Sequence, residues 1–157
     1  MQAQQFIYAD YNATAPVPER VREAMQPYLA GQFGNPSSQH SELGRQARAA
    51  VEDARLSVAE LIGAQPDEIV FTSGGTESAF AALVGAARGL SVVAGSLLLT
   101  SSVEHPAVRE AASFVEETYG LEVLSIPVDR GGMLQFDAIS QEALDRVALV
   151  SIMHANN

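Results

Sequence analysis

The sequence predicts an α/β fold: a parallel-rich sheet with helices on both faces. Two observations carry this expectation. Short apolar runs alternate with amphipathic stretches of about a dozen residues, the pattern of strands joined by right-handed helical crossovers. The runs are also near-continuously apolar rather than alternating, as in strands covered on both faces.

The elements follow in order along the chain. Pro18 to Leu29 reads as a helix, with proline early, Glu19 in the first turn, and Val21, Met25 and Leu29 at four-residue spacing. Gly31 and Gly34 break it, and Gly34-Asn35-Pro36-Ser37-Ser38 has the composition of a turn. A long helix is expected from Leu43 to Ile62, its stripe marked by Ala47, Ala50, Val51, Ala54, Val58, Leu61 and Ile62, with Gly63 as its stop. Glu68 to Thr72 is predicted as a first strand and Thr76 to Ala87 as the helix after it. Leu97 to Ser101 is a second strand. Pro106 to Tyr119 is a helix closed by Gly120, and Glu122 to Ile126 a third strand. A polar loop through Gly131 and Gly132 leads to a short helix, Ala138 to Leu144, and a fourth strand, Val147 to Met153.

Composition bounds the function classes. The chain has 157 residues, enough to bury about two thirds of its unfolded surface around one ordinary core. Nineteen acidic residues against nine basic ones give a net charge of −10, which repels phosphate backbones and argues against nucleic acid as a partner. Every basic residue is arginine, and there is no cysteine. Within this chain, therefore, no side-chain amine can form a Schiff base, no thiolate can attack, and no disulfide or thiolate metal site can form; no metal site is expected. Met1 to Gln5 lacks the basic and apolar regions of a signal peptide. The longest apolar stretch, around Ser91 to Leu99, is too short to span a bilayer, so a soluble, cytoplasmic protein is expected.

Ligands of open α/β sheets bind outside the carboxyl ends of the strands. After the first predicted strand comes Ser73-Gly74-Gly75-Thr76-Glu77-Ser78, where glycines admit a ligand to the backbone and a helix N-terminus offers free N–H groups. Thr76 is both a natural cap and a hydroxyl for an anion, and a phosphate is the obvious guest. A tight turn is the bland alternative. The spaced glycines and lysine of a nucleoside-triphosphate loop are absent. After the second strand, His105 opens a helix, where it can cap, stack, or move a proton. After the fourth come His154-Ala155-Asn156-Asn157, whose amides can serve a ligand or simply end a strand.

These segments resemble the cysteine desulfurases, class V aminotransferases of the fold type I architecture that binds pyridoxal 5'-phosphate (PLP). The similarity rests on Tyr8–Pro16, Phe33–Ser38, Phe71–Ser78, Glu104–Val108 and Val150–Asn157, in order and spacing, and runs over essentially the whole chain. It implies that residues 1–40 form an N-terminal segment with the first helix. Residues 41–157 would then be an incomplete large PLP-binding domain, with its C-terminal half and the small domain absent. Gly75 and Thr76 would hold the PLP phosphate, and His105 would stack on the pyridine ring and serve as the catalytic proton carrier. Asn157 would bond the ring hydroxyl and help place the substrate, alongside Asn12, Ala13 and Thr14. Gly34 to Ser38 would be structural, and His40 and His154 surface or capping residues.

The activity implied is conversion of L-cysteine to L-alanine with an enzyme persulfide, in iron–sulfur cluster assembly or thiolation. The lysine, mobile-loop cysteine and pyridine-pairing aspartate of the family lie beyond Asn157. The resemblance thus implies a chain inactive alone, completed by a missing C-terminal half or second chain. The intact protein would be a homodimer serving a sulfur acceptor or scaffold protein, without nucleic acid or membrane. Another class V enzyme, such as a selenocysteine lyase or aminotransferase, is the alternative, as is a non-catalytic PLP-binding fragment. Ala79 and Phe80 depart from the family, which favours polar residues there, and Tyr11 replaces a common asparagine.

Overall fold

The computed structural model describes residues 7–90 and 95–156. The chain forms two compact units, Met1–Phe71 and Thr72–Asn157.

The first unit is helical. Helix α1, Glu19–Ala30, carries Pro27 in its last turn and buries no residue. Helix α2, Glu42–Ile62, begins where the Ser41 hydroxyl accepts from the Gly44 N–H at 3.0 Å. It ends at Gly63, whose φ of 69° is the left-handed conformation that glycine adopts without a Cβ penalty. The Gly34–Ser38 turn folds tightly against the start of this helix. A Cβ on Gly34 would stand 2.0 Å from the Leu43 carbonyl oxygen, and one on Gly44 would stand 2.0 Å from that of Ser38. Both positions therefore exclude any larger residue.

The strand predicted over Glu68–Thr72 does not form. Pro66–Glu68 is a single 3-10 turn, and the residues after it have no regular structure. The physical reason is the absence of a partner: a strand needs a neighbour to take up its N–H and C=O groups, and every strand of the described residues belongs to the second unit. Arg55 of α2 takes up this segment instead. Its guanidinium donates to the Ile69 carbonyl and lies 5.1 Å from the centre of the Phe71 ring.

The second unit is α/β, as predicted. Its parallel sheet has the order β2-β1-β3, with β1 at Leu97–Ser101, β2 at Glu122–Ile126 and β3 at Val147–Ser151. The first two match the predicted spans, and the third stops two residues before the predicted end. Helix α3, Gly75–Gly89, precedes the sheet. Helix α4, Pro106–Tyr119, crosses from β1 to β2 and ends at Gly120, with a φ of 75°. The predicted helix over Ala138–Leu144 is displaced: Phe136–Ala138 is a 3-10 turn, and helix α5 runs Gln141–Asp145. The Ser140 hydroxyl accepts from the Ala143 N–H and fixes that later start.

Leu98, Val123 and Leu149 are register partners across the three strands, and helices α3 and α4 pack over them. Leu83 and Ala87 of α3 meet Ala111, Ala112 and Val115 of α4 in this core, where alanines let the two helices approach closely. Phe80 and Phe114 extend the contact, with ring centres 5.0 Å apart. The apolar departure at Phe80 thus has an aromatic partner on α4. At the amino ends of the strands, Arg146 donates to the Gly95 carbonyl at 2.6 Å and to Glu122 at 2.5 Å. No helix among the described residues is long and apolar enough to cross a membrane.

Candidate active site

Helix α3 begins without a side-chain cap, because its N-cap residue is Gly74. The Ser78 N–H makes the first intrahelical bond, to the Gly74 carbonyl at 3.0 Å. The N–H groups of Gly75, Thr76 and Glu77 therefore precede the helical ladder and point outward with the positive end of the helix dipole. A Cβ on Gly74 or Gly75 would meet nothing within 4 Å, so the approach to these donors is open. The Thr76 side chain stands at the same turn.

Neighbouring hydroxyls and one carboxylate brace this turn. The Thr72 and Ser78 hydroxyls lie 2.6 Å apart. Glu77 folds back, accepting from the Ser73 hydroxyl at 2.6 Å and from the Ser73 N–H at 2.7 Å. Those two bonds, hydroxyl first, hold the Glu77 carboxyl below its ordinary value. Its negative charge is thereby engaged rather than aimed at the open N–H groups. A carboxyl with a lowered pKa keeps its ties above the ordinary glutamate range and loses them as pH falls through the lowered value. The Ser73 amide resonance should therefore titrate with a midpoint below that of an unperturbed glutamate. A midpoint at the ordinary value would show that the brace does not form.

His105 is the N-cap residue of α4. Its Nδ1 accepts from the Ala107 N–H at 3.1 Å. A ring nitrogen that accepts carries no proton, so this bond leaves Nε2 as the nitrogen that can donate. The side chain is exposed. Capping and ligand contact, weighed above as alternatives, are compatible: the cap uses one ring nitrogen and leaves Nε2 and the ring face available.

The loops after β1 and β3 are tied together. Glu104, only 4% exposed, accepts through Oε1 from the Ser101 hydroxyl and from the Met153 N–H, both at 2.7 Å. The Asn156 amide donates to the Val103 carbonyl at 3.0 Å. His105 and the His154–Asn156 segment are thus held on neighbouring loops at one edge of the sheet. Sequence reasoning passed over Glu104. The available signal was a charged residue next to a strand end, which by itself reads as a solvated surface group.

The other expected residues are placed as follows. Gly75 and Thr76 share the second unit with His105. Asn12, Ala13 and Thr14 lie in the first unit, in a turn where the Ala13 N–H bonds both the Asp10 carbonyl, at 3.2 Å, and its side chain, at 3.3 Å. Asn157 lies outside the described residues, as do residues 91–94 of the apolar stretch. His40 and His154 are exposed. A groove of about 570 Å³ in the first unit, between Tyr28, Phe33, Pro36, Ala50, Ala54 and Phe71, is mainly apolar and contains none of these residues.

The family model for aminotransferase class-V matches residues 7–157. The chain belongs to the class-V aminotransferases. Among curated class-V relatives, the protein named cysteine desulfurase IscS of Dictyoglomus turgidum is 48% identical over 151 residues, covering 96% of this chain and 38% of that protein. A solved NifS-like protein superposes with a TM-score of 0.81 at 35% identity, over 94% of this chain and 40% of the other. The structure described as SspA in complex with cysteine gives a TM-score of 0.79 at 34% identity, over 95% and 42% of the two chains. The chain thus spans about 38% of the length of the curated class-V relative it matches.

Proposed function

We propose that this chain forms the cofactor-seating part of a PLP-dependent cysteine desulfurase, which converts L-cysteine to L-alanine and an enzyme persulfide. The observation that carries the reading is the uncapped, open start of α3, where backbone N–H groups of Gly75 and Thr76 meet no side-chain acceptor. A phosphate fits this donor set: N–H groups, a hydroxyl and a helix dipole, with the one nearby carboxylate turned onto Ser73. The names of the relatives supply the reaction class, and the cysteine-bound SspA supports the substrate.

In this reading Gly75 and Thr76 bind the phosphate. His105 stacks on the ring and moves a proton through Nε2, its tautomer fixed by the Ala107 N–H. Asn157 meets the ring hydroxyl, and Asn12, Ala13 and Thr14 border the substrate. PLP, when bound, supplies an electron sink for bond cleavage at the substrate carbon. The amine that anchors it and the thiol that receives sulfur come from outside these residues, which hold neither lysine nor cysteine. A cytoplasmic homodimer that passes sulfur to an acceptor or scaffold protein, in iron–sulfur cluster assembly, completes the proposal.

A chimera provides the test. Residues 7–157 replace the matching portion of the Dictyoglomus turgidum relative, and alanine release from L-cysteine is measured. The chimera should release alanine, and His105→Ala within it should lower the rate by about 10²–10⁴-fold, the usual worth of a positioned acid–base group. A folded, PLP-loaded chimera that acts on another amino acid would assign the chain to a different class V activity. One that binds no PLP would overturn the reading.

A further inference from the structure

The least expected polar group in the second unit is Glu104. A carboxyl that is 4% exposed is rare unless its partners require it there. Its partners come from two elements: the Ser101 hydroxyl at the end of β1, and the Met153 N–H two residues past the end of β3. Met153 lies beyond the sheet ladder, where its N–H has no strand partner. Glu104 takes over the role that the ladder gives up. The next residue in the chain is His105, and three residues after Met153 is Asn156, whose side chain returns to the Val103 carbonyl. Two crosslinks therefore join the loops, one through a side chain of each: the Met153 N–H donates to Glu104, and the Asn156 amide donates to the Val103 carbonyl.

We propose that Glu104 is a positioning residue that sets the register between the His105 loop and the loop carrying His154–Asn156, so that both meet a ligand as one rigid edge. The proposal rests on the reading of this edge as the PLP site. Glu104 itself touches no reacting atom. It acts through the backbone of its neighbour and through the Met153 amide. Geometry, not charge, carries the effect: one oxygen accepts both bonds, and a glutamine side chain offers an oxygen of the same reach.

The test uses the chimera described above in its PLP-free form, labelled for amide hydrogen exchange and titrated with PLP. In Glu104→Leu the Met153 amide should exchange about tenfold faster, the worth of one hydrogen bond, while Leu99 in the ladder is unchanged. PLP should still shift the Gly75 and Thr76 resonances in that variant, but the coordinated response of His105 and Asn156 should be lost. Glu104→Gln should restore both. Glu104→Asp, which keeps the charge and shortens the reach, is measured alongside in case the leucine variant fails to fold, and should lose Met153 protection as well. Unchanged Met153 exchange and an unchanged His105 response in either shortened or apolar variant would overturn the proposal. Absence of any Gly75 or Thr76 response in the unaltered chimera would instead sink the PLP reading, with Met153 exchange still deciding the role of Glu104.

Discussion

Truncating Leu98 to alanine should destabilise the second unit by about 2–5 kcal/mol, the range for deleting a buried leucine side chain. Leu98 is fully buried on the central strand, with Val123 and Leu149 as its register partners. Residues of α3 and α4 close over it: Leu83 and Ala87 from one, Ala111, Ala112 and Val115 from the other. Neighbours on four elements cannot all collapse into the space left, so the cavity term adds to the lost transfer energy. The consequence reaches the candidate site, because the helices that present Gly75, Thr76 and His105 share this core. Val150→Ala, at a position 55% exposed on β3, is the control and should change stability by about 0.5 kcal/mol or less. Urea unfolding followed by the amide signals of β1 measures both. A loss below about 1 kcal/mol for Leu98→Ala would mean that the two helices do not share one core over the sheet.

Gly44→Ala should cost at least about 3 kcal/mol, the upper end of overpacking penalties, because the obstacle is backbone and cannot swing aside. The added Cβ would stand 2.0 Å from the Ser38 carbonyl oxygen, 2.7 Å from its carbon and 2.9 Å from the Asn35 carbonyl oxygen. Relief requires the Gly34–Ser38 turn to lift off α2, which would also break the Ser41 cap on the Gly44 N–H. Gly34→Ala meets the reciprocal obstacle at the Leu43 carbonyl. Gly31 is the matched control: its backbone is right-handed, and a Cβ there meets nothing within 4 Å. Gly31→Ala should be neutral or slightly stabilising, since it narrows the unfolded ensemble. Equal stability of the Gly31 and Gly44 variants, read from denaturant midpoints and from exchange at the start of α2, would refute this packing.

Two devices of the site illustrate what could be anticipated from residue types. Gly74-Gly75-Thr76 before an apolar helical run announces an open helix start, and the structure has one. His105-Pro106 announces an N-cap followed by a proline at the first helical position, and α4 begins there. Both are local features, determined by residues adjacent in the chain. Glu104 is the opposite case. Its worth depends on Met153, far along the chain, and no local pattern announces that a charged side chain will be buried against an amide just past a later strand.

The sequence by itself determined the α/β class, the spans of β1 and β2, the four longer helices, and the order in which glycine-rich and polar loops follow them. Apolar periodicity and glycine or proline punctuation encode these locally, within a window of one element. Only the tertiary structure decided that Ile69–Phe71, apolar enough for a strand, would lie unpaired against Arg55 of α2. It alone decided that the sheet would run β2-β1-β3, and that one buried carboxyl would join the loops at its edge. The physical reason is common to all three. A backbone or carboxyl group needs a partner or water, and which partner is within reach depends on how distant segments pack, not on the residues beside it.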